Sequence, residues 1–492
     1  MNSRETSNGE TLETGIAVIG GGGAGLAAAI AAREKGADVV VLEKRRTLGG
    51  NAAIAGGVFA AESHLQKQMK IDARRDDFFR IAMSHSHWKV NPRIIRAIVG
   101  KSGDTIQWLE EKGVKFEGVP HFLPNQVRIF HLPQGHGAGL VKVLAQKCKE
   151  SGVRLLYETP ARGIWTSKKG NVIGVLAGTK EKELRLAAKA VIIATGGYAG
   201  NKELLKKYYA DYTENLYSVG MPHMGDGLLM ATAVGAATDG LGILQLRGPY
   251  FRGSLEIVTV AMEPQTIWVN KRGERFVDEA TGFNWPEAAN ALNRQPDKIS
   301  YTLFDEKIKN GLMEDGLRKG YSRFSAGTKL TELGKKLRFE SQKGGVKISD
   351  SWEEMARWMG AVPKVLKTAI DEYNRFCDRG CDEMLVKDRR FLMPLRTPLY
   401  YGLKCYQGFL GTIGGIKINH QMEVLDQQAD PIPGLYAGGN DTGGWESDTY
   451  SLILSGFAFG FAVNSGRIAG ENAAKFVLEE SLKKKRMGKL RR

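Results

Sequence analysis

A glycine-rich turn between a short apolar segment and an alanine-rich helix is the feature that most constrains this chain. Gly20, Gly22 and Gly25 have the spacing GxGxxG, and residues 15–19 before them have the pattern of a buried strand. Glu43 closes a second apolar strand about twenty residues further on, as in dinucleotide-binding folds. In such folds the glycines permit the tight turn, the approach of the backbone to a pyrophosphate and the packing of helix on strand. The pattern therefore predicts an α/β domain that binds a dinucleotide at the helix N-terminus.

Glu43 and the glycine-rich segments give further information about the predicted ligand site. The Glu43 carboxylate can accept hydrogen bonds from ribose hydroxyls and would repel a 2'-phosphate, which disfavours NADP. Glycine makes up 61 of 492 residues, which exceeds the usual share of about 7%. Two further Gly-Gly pairs flank Asn51 within residues 47–63. Because glycine allows close approach of the backbone, we expect this second loop to lie near the cofactor.

The middle of the chain has a different character from its two ends. Between residues 243 and 401 the glycine loops become rare, and a strand-like segment is followed by mixed helices and turns. We interpret this region as an inserted α+β domain. The predicted limits are 14–242 and 403–480 for the two parts of the dinucleotide-binding domain, 243–402 for the insertion and 481–492 for a basic tail.

The net charge is strongly positive, and much of the excess lies in the tail. The formal charge is +16, and residues 481–492 contain seven Lys or Arg. The other basic residues form no patch interleaved with aromatic residues, so we expect no nucleic-acid partner. We expect at most weak contact of the tail with an anionic membrane surface.

Cysteine usage and hydropathy indicate the compartment. The four cysteines are too few and too scattered for a disulfide framework. The N-terminal residues lack the order of a secretory signal, and the apolar run at residues 15–32 is explained by a nucleotide fold. We therefore expect a cytoplasmic protein with no transmembrane segment and no metal site.

Together these motifs resemble the FAD-dependent flavoprotein family of fumarate reductases, succinate dehydrogenases and 3-ketosteroid dehydrogenases. The resemblance covers residues 15–477 and includes, in the family's order, LGGN, ATGG, GDG, VNKRGERFVDE, TIGG, GLYAGG and GRIAGE. It implies a discontinuous Rossmann-type FAD-binding domain with an inserted capping domain, and a substrate held between the two against the flavin ring. It also implies hydride transfer between a substrate carbon and flavin, coupled to proton transfer at the neighbouring carbon.

FAD is the cofactor that the resemblance implies. Covalent members attach it to a histidine in the glycine loop, and since this loop has none, we expect non-covalent FAD. The sequence shows no haem or FMN module, so we expect electron exchange with an acidic carrier protein, a quinone, oxygen or free reduced flavin. The residues that we expect to bind the cofactor are Gly20, Gly22, Gly23, Ala24, Gly25, Glu43, Lys44, Gly49, Gly50, Asn51, Ala55, Gly56, Gly57, Ala194, Thr195, Gly196, Asp226, Gly439, Asn440 and Ser455.

The residues that bind dicarboxylates in fumarate reductases are largely replaced. The family's histidine before the threonine of TIGG is Gly411, and the catalytic arginine after the VDE strand is Phe283. The histidine at the start of the capping domain falls near Arg247, and residues 445–460 contain no arginine. Because an unpaired buried carboxylate costs several kcal/mol, these replacements argue against fumarate or succinate. They predict a wider, more apolar pocket that includes Phe283, Gly411, Thr412 and Gly414.

Two tyrosines and one arginine are the catalytic candidates. Tyr450 falls where ketosteroid dehydrogenases carry a tyrosine that binds the ketone oxygen, although the glycines that follow in that family are displaced here. Tyr250 is the second candidate, and a tyrosine can act as donor, or as base if its pKa is lowered. Arg247 could bind a single carboxylate.

We therefore predict an FAD-dependent oxidoreductase that acts on a CH–CH or C=C bond next to a carbonyl of a small, cyclic substrate that is not a dicarboxylate. The direction, ketone desaturation or enone reduction, stays open. One alternative is an enoate reductase that uses Arg247, and another is a flavoprotein electron-transfer subunit.

Overall fold

The computed structural model describes residues 10–123, 126–168, 170–178, 183–321 and 324–490, with side chains described through residue 482. The strands in chain order are β1 (Glu10–Ile19), β2 (Val39–Leu42), β3 (Val58–Phe59), β4 (Phe116–Gly118), β5 (Phe130–Pro133), β6 (Arg154–Leu156), β7 (Ala161–Thr166), β8 (Val172–Gly178), β9 (Glu183–Ile193), β10 (Tyr217–Ser218), β11 (Thr238–Asp239), β12 (Leu244–Phe251), β13 (Ile267–Asn270), β14 (Ile299–Asp305), β15 (Gly320–Tyr321), β16 (Phe324–Ser325), β17 (Val346–Ser349), β18 (Tyr400–Thr412), β19 (Gly415–Ile416), β20 (Glu423–Leu425) and β21 (Pro431–Ala437).

The α-helices are α1 (Gly23–Glu34), α2 (His64–Gln68), α3 (Arg75–His85), α4 (Pro92–Glu111), α5 (His136–Glu150), α6 (Lys202–Tyr208), α7 (Asp226–Ala233), α8 (Leu255–Ala261), α9 (Trp285–Asn293), α10 (Glu306–Glu314), α11 (Leu333–Gln342), α12 (Trp352–Met359), α13 (Pro363–Arg379) and α14 (Phe457–Leu490). Short 3₁₀ helices lie at Gly50–Ile54, Glu279–Phe283, Pro296–Lys298, Arg389–Phe391 and Gly439–Asp441.

The chain forms two compact units. Unit 1 consists of Met1–Ala210, Gly220–Leu244 and Gly411–Arg492, and unit 2 consists of Asp211–Val219 and Gln245–Leu410. The last two residues of the predicted basic tail, and its side chains from residue 483, lie outside the described part of the chain. Among the described residues, no helix is both long enough and apolar enough to span a membrane.

Unit 1 is built on an eight-stranded sheet in which β1 occupies a central position. The path of the sheet is β20-β21-β9-β1-β2-β6, and β7 pairs with β8, which pairs with β9. Strands β2, β9 and β21 each pair in parallel with a neighbour on this path. Every residue of β2 is buried, as expected for parallel strands that are covered on both faces. This sheet, with α1 following β1 directly, confirms the predicted α/β class.

Two helices of small residues pack closely in unit 1. A Cβ on Gly466 or Gly470 of α14 would clash with backbone atoms of Ala24 or Ala28 in α1. The glycines of the GRIAGE segment are therefore needed for the contact between these helices, since a methyl group has no room there.

Unit 2 contains a six-stranded sheet around β18. Its path is β10-β18-β14-β13, and β12 and β17 also pair with β18. Residues 403–410 belong to this unit because they continue β18, where Tyr406 pairs with Ile299 of β14 and Gly408 with Tyr217 of β10. Residue 402, the end of the inserted domain that the sequence predicts, falls inside β18.

A buried ion-pair network fixes the 3₁₀ helix Glu279–Phe283. Glu279 is fully buried and accepts from Arg275 Nη2 at 2.9 Å, from Lys387 Nζ at 3.1 Å and from the Trp268 amide at 3.0 Å. Asp382 also accepts from Arg275, at 3.0 Å. Since every charge in this group has an opposite partner, the network holds the turn in a defined position.

Candidate functional site

The GxGxxG turn has the geometry that a dinucleotide site requires. Gly20 has a left-handed φ of +105°, and a Cβ on Gly25 would clash with the Gly20 carbonyl oxygen. A Cβ on Gly22 would instead meet its nearest atom, the Gly49 oxygen, at 3.7 Å. Gly22 is also the N-cap of α1 and makes no side-chain cap. The first and third glycines therefore serve chain packing, and the second leaves an open backbone beside helix amides that suit a phosphate.

Glu43 is fixed at the end of β2. Its carboxylate accepts from the amides of Gly21 and Arg45, both at 2.9 Å. The neighbouring Lys44 forms an ion pair with Asp226 at 2.6 Å. The carboxylate that we expect to bind ribose is thus oriented by the turn itself.

The second glycine loop lies against the first. The Gly49 amide donates to the Gly21 oxygen at 2.9 Å, and the Asn51 side chain accepts from the Met221 amide at 2.7 Å. Gly56 packs on the ring of Phe130, where a Cβ would come within 2.9 Å. The bond between Gly49 and Gly21 brings the two glycine loops together, and the closeness of residues 47–63 to the cofactor stays a prediction.

Asp441 holds the ATGG loop, and the sequence analysis missed it. Its carboxylate is 1% exposed and accepts from the Thr195 hydroxyl at 2.9 Å and from the Gly196 and Gly197 amides at 2.9 and 3.0 Å. It also accepts from the Thr195 amide. Burial raises the pKa of Asp441 despite these bonds. The signal in the sequence was an acidic residue inside the GGNDTGG loop that follows β21.

His223 is a second residue that sequence reasoning missed. The Cβ positions of Gly50 and Gly196 lie 3.4 and 2.7 Å from its Nε2 atom. Burial, with the nearby Lys44 and Arg45 charges, lowers the pKa of His223 to about 4. Its buried Nδ1 has no hydrogen-bond partner among the described residues. A neutral imidazole that lacks a partner, next to two predicted cofactor residues, fits a site for a polar cofactor such as FAD.

Three predicted pocket residues in unit 1 have different surroundings. Gly411 faces the side-chain amides of Asn440 and Asn51, which lie 3.0 and 3.4 Å from its Cβ position. The Thr412 hydroxyl accepts from the Tyr198 amide at 3.0 Å, and Gly414 packs against the Gly240 backbone. Gly411 is therefore placed among predicted cofactor residues, whereas Thr412 and Gly414 make contacts that stabilise the chain.

Tyr450 is buried in the loop before α14. Tyr450 is 4% exposed, and its hydroxyl oxygen accepts from the Ala458 amide at 3.2 Å. In the same loop, the buried Glu446 accepts from the Ser451 amide at 3.2 Å and from the Ser451 hydroxyl. Burial raises the pKa of Glu446 to about 8.

The other catalytic candidates, Arg247 and Tyr250, lie in a group of cationic and aromatic side chains in unit 2. The Arg247 guanidinium donates to the Tyr321 hydroxyl and lies 5.0 Å from the centroid of the Trp285 ring. The Lys319 ammonium lies 5.7 Å from the ring centroids of both Phe283 and Tyr321. We call these five residues and Tyr250 the Arg247 cluster.

The surroundings of Tyr250 in this cluster determine whether it can act as a proton donor or as a base. Burial raises the pKa of Tyr250 to about 12, with a further contribution from Tyr321 and an opposing one from Arg247. A tyrosine with such a pKa stays protonated near neutrality, so it suits a hydrogen-bond donor and not a base. The Nε atom of Arg247 is buried and lacks a hydrogen-bond partner within the described parts of the chain.

Comparison with known proteins identifies the family. The sequence profile of the family described as FAD binding domain matches residues 15–450. The chain belongs to this FAD-dependent flavoprotein family. It is 33% identical over 484 residues to the vinyl phenol reductase of Lactiplantibacillus plantarum, and the match covers 95% of this chain and 97% of that protein.

Solved structures agree with this membership. The open conformation of a flavocytochrome c3 fumarate reductase matches with a TM-score of 0.75 and 28% identity, over 96% of this chain and 79% of that one. The 3-ketosteroid-Δ4-(5α)-dehydrogenase of Rhodococcus jostii RHA1 has the same fold, with a TM-score of 0.74, 24% identity and coverage of 96% and 99%.

These comparisons confirm the predicted family and fold, and the predicted enzyme class of FAD-dependent oxidoreductases of the CH–CH group. The assignment of individual site residues, the domain limits and the non-covalent attachment of FAD stay predictions. The cytoplasmic location and the acidic electron carrier also stay predictions.

Proposed function

We propose that this flavoenzyme reduces a C=C bond that is conjugated to an aromatic ring bearing an oxygen atom. The observation that carries this proposal is the Arg247 cluster. Its guanidinium donates to the Tyr321 hydroxyl and lies over the Trp285 ring, Tyr250 is near both groups, and Phe283 lies beside Lys319. Aromatic faces suit a flat, apolar substrate, and a cation with a hydroxyl suits one oxygen on it. The similarity to a protein named vinyl phenol reductase supports the same substrate class.

The reaction adds one hydride and one proton to the alkene, so that the C=C bond becomes a C–C bond. FAD, in its reduced form, supplies the hydride. Arg247 and Tyr321 bind the ring oxygen and favour its ionised form, because a buried guanidinium stabilises negative charge. An ionised ring oxygen directs electron density to the far alkene carbon, which then accepts the proton.

The same residues make a dicarboxylate a poor substrate. Phe283 carries no charge, and Gly411 carries no side chain to bind a second carboxylate. Because a buried carboxylate without a close partner costs several kcal/mol, these two replacements weaken the binding of a dicarboxylate.

Tyr450 favours a second candidate, reduction of an enone or its reverse, ketone desaturation. Its hydroxyl oxygen accepts from the Ala458 amide at 3.2 Å, which fixes the position of this group in the loop before α14. In this candidate the ketone replaces the ring oxygen as the group that polarises the alkene.

An anaerobic titration of the reduced enzyme separates these candidates. The substrates are 4-vinylphenol, styrene as the matched control without the hydroxyl, 2-cyclohexenone, acrylate and fumarate, with flavin reoxidation followed by absorbance. We expect 4-vinylphenol to reoxidise the flavin about 100-fold faster than styrene, because sites built around a hydroxyl discriminate strongly against its absence. Reoxidation by cyclohexenone alone would favour the second candidate, and efficient reoxidation by fumarate would contradict both.

A further inference from the structure

Lys319 is a basic residue of the Arg247 cluster to which the proposed function gives no role. Its ammonium lies between the rings of Phe283 and Tyr321, at 5.7 Å from each centroid, and donates to the Gly320 oxygen at 3.2 Å. Arg247 contacts the same tyrosine, because its guanidinium donates to the Tyr321 hydroxyl and lies 5.8 Å from the centroid of the ring. The amine is therefore held beside the groups that we propose to bind the substrate.

The backbone that carries Lys319 is fixed by a buried carboxylate. Glu263 is fully buried and accepts from the amide of Arg318 at 2.8 Å, of Lys319 at 3.3 Å and of Gly320 at 2.7 Å. Since one side chain binds three successive amides, the Lys319 side chain begins at a defined point. Such support is what a group that transfers a proton requires.

The other members of the cluster are poor proton donors near neutral pH. A guanidinium such as that of Arg247 does not act as a proton donor in proteins. Burial raises the pKa of Tyr250 to about 12. Trp285 and Phe283 have no acidic proton, and the Tyr321 hydroxyl, which accepts from Arg247, already has the proposed role of binding the ring oxygen.

The environment of Lys319 makes its ammonium group more acidic, whereas burial makes the Tyr250 hydroxyl less acidic. Burial lowers the pKa of the Lys319 ammonium to about 8, against the opposing influence of the Glu263 carboxylate. Glu263 is the charged group that acts on the amine, and the ring centroids of Phe283 and Tyr321 lie 5.7 Å from it. A donor whose pKa lies near the working pH transfers protons efficiently.

We propose that Lys319 donates the proton to the alkene carbon that does not receive the hydride. The Nζ–H bond breaks, and the proton forms a C–H bond with the π-electron pair at the far carbon. The carbon next to the ring receives the hydride that reduced FAD supplies, so the alkene is reduced by two electrons. The neutral amine then regains its proton from water. This inference rests on the proposed function for its substrate.

The test compares Lys319→Gln and Lys319→Arg with the unchanged enzyme. Flavin reoxidation is followed by stopped flow across the pH range, with whichever alkene of the titration panel reoxidises the flavin. We expect the wild-type rate to fall as pH rises through about 8, since the neutral amine has no proton to give. Lys319→Gln should lose about 100-fold in rate, the usual contribution of a general acid, and lose this pH dependence, with KM changed far less. Lys319→Arg should move the decline to higher pH.

The control is Lys335→Gln, which removes an exposed lysine of the same unit that pairs with Glu332. It should leave both the rate and the pH profile unchanged. Circular dichroism and flavin content show whether each variant folds. Reaction of 4-(1-propenyl)phenol in D2O gives an independent reading, because its far carbon becomes a CHD centre. The wild-type enzyme should place deuterium there stereospecifically, and Lys319→Gln should not.

Failure of the substrate proposal and failure of the Lys319 assignment would give different results. If 4-vinylphenol is inactive but another alkene works, the substrate proposal fails and the lysine test proceeds with that alkene. If Lys319→Gln folds and keeps both the rate and its decline above pH 8, the assignment of Lys319 is overturned.

Discussion

The two units build their functional residues in different ways. In unit 1 the candidate cofactor site consists largely of backbone, arranged by glycines such as Gly20 and Gly25 whose missing side chains make room for other atoms. In unit 2 the Arg247 cluster consists of side chains whose chemistry would change with a single substitution. The comparison teaches that the candidate cofactor site is constrained by space, whereas the groups that we propose to bind the substrate are constrained mainly by their chemistry.

The largest expected effect tests the spatial constraint. Gly25→Ala places a methyl group against the Gly20 carbonyl, and neither backbone can move freely. We expect a loss of several kcal/mol in the free energy of unfolding and loss of bound FAD, measured by denaturant unfolding and flavin content. Gly22→Ala is the matched control, because its new Cβ would meet only the Gly49 oxygen, at an ordinary contact distance of 3.7 Å. This change should leave the fold intact while weakening FAD binding. Normal flavin content in Gly25→Ala would contradict the comparison.

The next effect concerns the buried carboxyl near Tyr450. The pKa of Glu446 is raised to about 8 in the folded protein, so the folded state keeps a proton that the unfolded state has lost. Stability should therefore fall as pH rises from about 4.5 to 8, by up to about 1.4 kcal/mol per pH unit. Glu446→Gln should remove this slope in denaturant unfolding. Asp448→Asn, in the same loop but 73% exposed, should keep it, and an unchanged slope in Glu446→Gln would exclude this explanation.

The chemical constraint in unit 2 predicts a kinetic effect without a folding defect. Arg247→Gln removes the cation that we propose to bind the ring oxygen, and kcat/KM should fall about 100-fold, or about 2.7 kcal/mol. The matched control is Arg252→Gln, since Arg252 also lies over an aromatic ring of this unit, 3.8 Å from the Tyr406 centroid. Equal losses in the two variants would show that the effect is not specific to the cluster.

The smallest expected effect tests whether Thr412 in unit 1 stabilises the fold or contacts the substrate. Thr412→Val removes the hydroxyl that accepts from the Tyr198 amide and leaves this buried donor unpaired. We expect a loss of about 1–3 kcal/mol in unfolding free energy with kcat/KM unchanged per bound FAD. A large rise in KM with normal stability would instead place Thr412 in the substrate pocket, as the sequence predicts.

The same comparison explains what could be predicted from the sequence. The fold and the family followed from local patterns, since the GxGxxG spacing and Glu43 are read within a single stretch of chain. Asp441 was missed because its partners, Thr195 to Gly197, are remote in sequence and a carboxylate in a glycine loop has many uses. Lys319 and Tyr321 were missed because no local pattern marks a cluster that the fold assembles from separate segments.

The ion-pair network around Glu279 has a consequence for substitutions at position 283. The turn that ends at Phe283 is fixed by Arg275, Lys387 and the Trp268 amide, and none of these bonds involves the Phe283 side chain. A substitution at position 283 therefore leaves these bonds intact, and the contacts that it changes are those of the ring with Phe391 and Lys319.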